Sequence, residues 1–165
     1  MADFTADTRD IKFVLFEQLC MEKLGEYDKY SDFNREDMEM MFDEAYKFAR
    51  EEMAPVNASM DREGCTFEDG KVTTPKDIHK LYALFNELGW GALSSNPEYG
   101  GQGAPETLMI ACCDVFFGAN VSFNLGALLT MGAAHLIESF GSEEIKDIYL
   151  ENMFTGTWAG TMCLT

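Results

Sequence analysis

The side chains that most often carry chemistry are few in this chain, and their spacing argues against two common kinds of site. Gly100, Gly101 and Gly103 share one loop, but they do not form the G-x-G-x-x-G pattern that cradles a dinucleotide. The two histidines, His79 and His135, are far apart, and neither belongs to a cluster of metal-ligating residues. The sequence therefore predicts neither a Rossmann-type nucleotide turn nor a metal site.

Composition and charge exclude further classes of function. The chain has 29 acidic and 12 basic residues, and its net charge of −17 repels nucleic-acid phosphates and anionic lipid surfaces. It has no run of about 18 apolar residues and no secretory signal at its start. The five cysteines are irregularly spaced, as in a reducing compartment. We therefore expect a cytoplasmic protein with no nucleic-acid or membrane partner.

Helical periodicity dominates the chain. Apolar residues recur about once per turn in six segments, and 121–140 is apolar on nearly every side, which is typical of a central, buried helix. With 47% hydrophobic residues, the 165-residue chain has enough apolar material for one core. The sequence predicts an all-α bundle of about six helices, at 10–24, 34–53, 75–88, 105–118, 121–140 and 143–153.

Turn-forming residues separate these helices. Pro55 is expected to end the second helix, so that 56–66 forms a loop. The dipeptide Asp69-Gly70 predicts a tight turn within a small exposed hairpin over 66–73. Gly89 is placed to cap the far end of the third helix.

The pattern changes after the last helix. Residues 157–165 are rich in β-branched and large apolar side chains, which predicts a strand. Because one strand cannot form a sheet alone, we expect the chain to end inside a second domain. The predicted organisation is an amino-terminal helical extension (1–33), a helical domain (34–155) and the first strand of a β-domain (156–165).

The order of these signals resembles a known family. Helices precede a P-x-x-G-G-x-G loop at 97–103, and a buried helix follows it. Then come Gly-Ser-Glu-Glu-Ile-Lys-Asp-Ile-Tyr-Leu at 141–150 and Gly-Thr-Met-Cys-Leu-Thr at 160–165. This order resembles the amino-terminal half of FAD-dependent acyl-CoA dehydrogenases. Segments 9–24 and 61–75 resemble a narrower branch of longer enzymes that includes the 3-methylmercaptopropionyl-CoA type.

The resemblance implies a reaction. In the family, a glutamate takes a proton from Cα of an acyl-CoA thioester while flavin N5 takes a hydride from Cβ, which leaves a trans-2-enoyl-CoA. The protein places these groups in line and stabilises enolate charge. The base and most flavin contacts come from later segments of the family's chains. We therefore expect no catalytic residue in this chain.

The resemblance assigns a flavin role to the end of the chain. Met162, Leu164 and Thr165 match positions that line the flavin ring of FAD. Backbone groups at 162 and 164 would contact the ring, and the Thr165 hydroxyl would hydrogen-bond near N5 and O4. The alternative is that all three are ordinary strand residues.

The resemblance also assigns a substrate role to the apolar segment 121–140. It matches the helix that walls the fatty-acyl channel, which makes Leu125, Leu128 and Leu129 candidates for contact with the acyl tail. The alternative is that these leucines only fill the core, since an all-apolar helix needs core residues in any case.

Partners follow from the same resemblance. In relatives, an apolar pocket between amino-terminal helices receives a leucine-bearing loop of the electron-transfer flavoprotein, and a homo-oligomer is also expected. The matching elements here are 34–53 and 75–88, although the core alone explains most of their apolar stripes. Those stripes contain Met41, Phe48, Leu81, Tyr82 and Phe85.

Two rival interpretations remain open. A stand-alone helical interaction module would need no terminal strand, whereas this sequence stops in mid-pattern at Thr165. The second is a family member that has become a hydratase or an oxidase, and the residues that would decide this lie downstream of Thr165. Under the dehydrogenase interpretation, the chain is expected to be inactive and colourless by itself, and to expose apolar surface that favours self-association.

Overall fold

Seven α-helices and one small hairpin make up the part of the chain that the computed structural model describes, residues 4–161 and 163. This architecture confirms the predicted all-α bundle. The helices are α1 (Thr8–Lys12), α2 (Arg35–Phe48), α3 (Ala54–Glu63), α4 (Lys76–Glu87), α5 (Glu106–Ala119), α6 (Val121–Phe140) and α7 (Glu143–Phe154), and the strands are β1 (Thr66–Glu68) and β2 (Lys71–Thr73).

The amino-terminal extension is helical but broken. The predicted continuous helix over 10–24 is wrong, because α1 passes into a π-helical turn at Phe13–Gln18 and the helix then stops. Cys20 has a φ of 51°, and this left-handed conformation cannot continue a right-handed helix. A 3-10 helix then spans Met21–Glu26. The apolar stripe predicted at 11, 14, 15 and 19 is only partly buried, since Leu15 is in the core whereas Val14 and Leu19 are 41% and 56% exposed.

Pro55 does not end the second helix. A π-helical turn at Ala49–Met53 joins α2 directly to α3, and Pro55 occupies the first turn of α3. Proline is tolerated there because its missing N–H is not needed by the first turn of a helix. The predicted loop over 56–66 is therefore wrong, and the chain stays helical to Glu63.

The predicted turns are confirmed. Asp69 and Gly70 both have positive φ, 51° and 77°, as a two-residue hairpin turn of the right twist requires. β1 and β2 pair in antiparallel register, with Phe67 opposite Val72. Gly89 follows α4 with a φ of 75°, the left-handed conformation of a helix C-cap.

The predicted strand over 157–165 is not present in the described residues of that stretch, 157–161 and Cys163. A strand needs a partner, and these residues pack on helices instead. The Tyr82 hydroxyl donates to the Gly156 carbonyl at 3.1 Å. The Gly160 amide donates to Thr130 Oγ1 of α6 at 3.2 Å.

An aromatic cluster forms the centre of the bundle. Its five rings come from α2, α4, the segment after α4, α5 and α6, and neighbouring ring centroids are 5.4 to 6.2 Å apart. Edge-to-face pairs of this kind contribute about 0.5–1.5 kcal/mol each beyond the burial of their area. The members are Phe48, Phe85, Trp90, Phe116 and Phe123.

Asn120 joins α6 to the α2–α3 rod, which is the continuous helical segment over 35–63. Its side chain is fully buried and caps α6 by accepting from the Phe123 amide at 3.2 Å. The same side chain donates from Nδ2 to the Met53 carbonyl at 3.3 Å. One residue therefore supplies both a helix cap and a link between helices that are distant in the sequence.

We predict that Asn120→Ala lowers the free energy of unfolding by about 2–4 kcal/mol, since it removes a cap and a buried hydrogen bond together. Urea unfolding followed by circular dichroism measures the change. The control is Ser142→Ala, which removes the exposed N-cap of α7 and should cost about 1 kcal/mol. Equal losses in the two variants would contradict the linking role of Asn120.

Candidate functional site

The three leucines predicted to contact an acyl tail lie on the outer side of α6. Leu125 is 49% exposed, Leu128 is 39% exposed and Leu129 is half-buried. The opposite side of α6 packs into the bundle through residues such as Phe123 and Ala134. The prediction that 121–140 is buried on every side is therefore wrong for this chain. One face of the helix is core, and the other is an exposed apolar face.

Leu128 lines a shallow groove between α5 and α6. The groove has a volume of about 330 Å³ and mostly apolar walls. Leu125 and Leu129 share the same side of the helix but do not line it. Its lining residues are Glu106, Met109, Ile110, Cys113, Asp114, Phe117, Leu128 and Met131.

The chemistry of this α5–α6 groove suits an uncharged, apolar group. Burial raises the pKa of the Cys113 thiol, despite an opposing effect of the nearby Asn124 amide, and burial raises that of its neighbour Cys112 to about 12. Both thiols are therefore protonated and poorly nucleophilic at neutral pH. The charged lining groups are the carboxylates of Glu106 and Asp114, which would repel phosphates.

The residues predicted to line a flavin, Met162, Leu164 and Thr165, lie outside the described residues. The described chain just before them is firmly held. Thr130 Oγ1 accepts from the Gly160 amide and lies 3.3 Å from the Gly160 carbonyl. A Cβ on Gly160 would lie 3.0 Å from Cβ of Ala133 and 2.6 Å from the flexible Cε end of Met153, so the chain packs closely against α6 and α7 at this point.

A second groove lies between α2 and α4, the elements predicted to receive a partner loop. Its volume is about 380 Å³. Of the five residues predicted for this role, Phe48 lines it, whereas Leu81 and Phe85 are core residues with 4% and 1% exposure. The lining residues are Glu44, Lys47, Phe48, Glu51, Glu52, Leu84, Leu88 and Trp90.

Leu84 and Leu88 are not among the five residues predicted for this role, although the sequence carries a signal for them. They are spaced four residues apart on α4 and its C-cap, beside the Leu81 and Phe85 stripe that faces the core. Two apolar residues at that spacing, next to an already complete core stripe, indicate a second apolar strip.

A further cleft was also not predicted from the sequence. It has a volume of about 820 Å³ and lies beside the amino-terminal segment, where Phe4 packs near Tyr46 at a centroid distance of 6.3 Å. Polar and apolar groups share its lining, including Arg50, Asn57 and Pro55. No pattern in the sequence indicated this cleft, because it forms where an irregular segment meets the α2–α3 junction.

The described residues were also searched for metal-binding clusters and for helices that could span a membrane. Those residues contain no group of three or more histidine, cysteine or acidic side chains that could hold a metal ion. His79 lies 3.2 Å from the Thr74 hydroxyl, and the His135 ring lies 5.8 Å from that of Phe154. None of the described helices has the length and apolar character to cross a bilayer.

Comparison with known protein families and sequences gives a consistent match. Residues 35–157 match the family described as acyl-CoA dehydrogenase, N-terminal domain. The chain is 33% identical over 162 residues to 3-methylmercaptopropionyl-CoA dehydrogenase of Ruegeria pomeroyi, covering 98% of this chain and 28% of that protein. It is 34% identical over 161 residues to a butyryl-CoA dehydrogenase of Syntrophomonas wolfei, covering 95% and 26%. The chain thus spans about a quarter of the length of these relatives.

Solved structures share the fold. Butyryl-CoA dehydrogenase from Megasphaera elsdenii superposes with a TM-score of 0.60 at 22% identity, over 76% of this chain and 31% of that one. A chain from the structure of the electron transferring flavoprotein of Acidaminococcus fermentans gives a TM-score of 0.62 at 23% identity, over 77% and 31%. At these identities the likeness concerns the fold alone.

We predict that the exposed apolar face of α6 makes the purified chain self-associate. The average mass from light scattering should rise with protein concentration, and Leu125→Gln/Leu136→Gln should lower it, since both leucines are about half exposed on α6. The control is Phe67→Gln/Val72→Gln in the hairpin, where the apolar side chains are even more exposed but lie elsewhere. A strict monomer at all concentrations would contradict the prediction.

Proposed function

The chain belongs to the acyl-CoA dehydrogenase family, and from this premise we propose that its polypeptide oxidises an acyl-CoA thioester to the trans-2-enoyl-CoA with FAD as hydride acceptor. The observation that carries the proposal is the match of residues 35–157 to the family's amino-terminal domain. The base would be a glutamate outside this chain. We expect a reducing compartment such as the cytoplasm, as the irregular spacing of the five cysteines suggests.

In this proposal, α6 contributes the wall against which the acyl tail lies. Leu128 and the α5–α6 groove offer apolar contact, and the groove has no cationic lining residue for the phosphates of CoA. We therefore assign the acyl portion of the substrate, and not its nucleotide, to this surface. Leu125 and Leu129 would extend the wall along the same side of the helix.

Met162, Leu164 and Thr165 would hold the edge and face of the FAD ring. Their donor set fits a neutral flavin edge, because it combines a hydroxyl and backbone groups with two apolar side chains. The anchor of Gly160 on Thr130 supports this assignment, since it fixes the backbone two residues before Met162. Bound FAD would supply the hydride acceptor of the reaction.

We predict that Leu128→Phe lowers kcat/KM for long acyl-CoA substrates about tenfold while short ones are little affected, because the larger ring would fill the acyl-facing groove. The assay uses the complete reading frame, an acyl-CoA chain-length series and an artificial electron acceptor. The control is Leu136→Phe, at a 56% exposed position of α6 that does not line the groove. Equal effects of both variants at all chain lengths would count against the assignment.

We further propose that the α2–α4 groove docks the electron-transfer flavoprotein, the partner that would reoxidise the reduced flavin. Its floor combines Phe48 and Trp90, which are nearly buried, with Leu88, which is 49% exposed. Such a groove offers an anchor site for one apolar side chain of a partner loop. Redox contacts of this kind are small and weak, so micromolar or poorer affinity is expected.

We predict that Leu88→Gln weakens binding of the electron-transfer flavoprotein at least fivefold, because it places an amide where an apolar anchor must be buried. Titration of the partner into labelled chain measures the affinity. Folding should survive, since Leu88 is half exposed, and Leu136→Gln serves as the matched control on α6. Unchanged affinity of the Leu88 variant would contradict the proposal that the partner docks in this groove.

A further inference from the structure

We propose that charge selects the occupant of the α2–α4 groove: the docking segment must carry a lysine or arginine beside its apolar anchor. This inference rests on the docking function proposed above and adds a requirement to it. The apolar floor sets where the segment binds, and the rim of the groove sets which segments can bind.

The rim of the groove is acidic. Three of its lining residues are carboxylates, Glu44, Glu51 and Glu52, and Lys47 is the one cation among them. Lys47 Nζ lies 3.4 Å from a carboxylate oxygen of Glu44, within ion-pair distance. Glu51 pairs with Arg50 at 2.6 Å, and Arg50 itself lines the separate cleft beside the amino-terminal segment.

Glu52 is the charge that lacks compensation. It is half-buried, and no lysine, arginine or histidine lies within ion-pair distance of it among the residues that the structure describes. A carboxylate beside an apolar floor is less screened by water than one on an open surface. A cation brought by a partner would therefore gain more from Glu52 than from the paired carboxylates.

The floor adds a second requirement for an occupant. Trp90 lines the groove with 7% exposure, so its ring contributes mainly apolar surface to the floor. Leu84 and Leu88 form the apolar side of the same groove. An occupant must therefore present an apolar side chain to the floor and a positive charge to the rim.

These features argue against two other occupants. A second copy of this chain brings a net charge of −17 toward an acidic rim, which opposes self-docking here. A nucleic acid is opposed by the same repulsion. A protein segment that pairs an aliphatic side chain with a basic one satisfies both the floor and the rim.

The test is the variant Glu44→Gln/Glu52→Gln, titrated with electron-transfer flavoprotein from the organism that supplies this sequence. Each partly exposed ion pair is modest, so affinity at low salt should fall roughly three- to tenfold, and its dependence on salt should flatten. The control is Asp147→Asn/Glu151→Gln on α7, which removes the same charge from exposed positions away from the groove.

Unchanged affinity and salt dependence in the groove variant would overturn charge selection, and so would an equal loss in the α7 control, which would indicate steering by net charge alone. The Leu88→Gln variant separates this inference from the docking proposal. If Leu88→Gln weakens binding but the charge variant does not, the docking proposal is supported and the charge-selection proposal is wrong. If neither variant weakens binding, both are wrong.

Discussion

The packing of aromatic rings around Phe116 is the interaction on which the rest of the bundle depends. This side chain is fully buried on α5, and its ring contacts those of Phe48, Phe85 and Trp90 at centroid distances of 5.5 to 6.0 Å. Through Phe85 the cluster also reaches Phe123 of α6. Four helices are thereby held against one another by rings whose edges and faces must fit closely.

The aromatic cluster determines the shape of both candidate surfaces, the α2–α4 groove and the α5–α6 groove. Phe48 and Trp90 belong to the cluster and also form the floor of the α2–α4 groove, so the groove cannot change depth without disturbing the core. Because Phe123 is buried in the cluster, the opposite side of α6 faces outward. Leu128 on that side lines the groove beside α5. Asn120 fixes where α6 begins and ties that point to the α2–α3 rod.

Sequence reasoning predicted the regular elements well and the irregular ones poorly. Local chemistry decided the hairpin at Asp69-Gly70 and the cap at Gly89, because positive φ there is a property of few residues. The break at Cys20 and the continuation through Pro55 depend on tertiary packing and on a π-helical turn, and no local pattern announces either.

The candidate site shows the same division. Apolar periodicity placed Leu125, Leu128 and Leu129 on one helix, but it could not say which face of α6 the bundle would bury. For the partner groove, the apolar stripes pointed to the core residues Leu81 and Phe85. The spacing of Leu84 and Leu88 indicated a second apolar strip, but only the structure shows that this strip lines a groove. The flavin assignment of Met162, Leu164 and Thr165 stays a prediction.

We propose that this domain serves a flavin-dependent oxidation of an acyl-CoA thioester. The most direct test of this proposal is anaerobic mixing of the complete, FAD-loaded polypeptide with saturated acyl-CoA thioesters while the visible flavin absorbance is followed. We expect the oxidised flavin band to bleach within the dead time of mixing or shortly after, with formation of one enoyl-CoA per flavin. A flavin that stays oxidised with every acyl-CoA of a chain-length and branching series would contradict it.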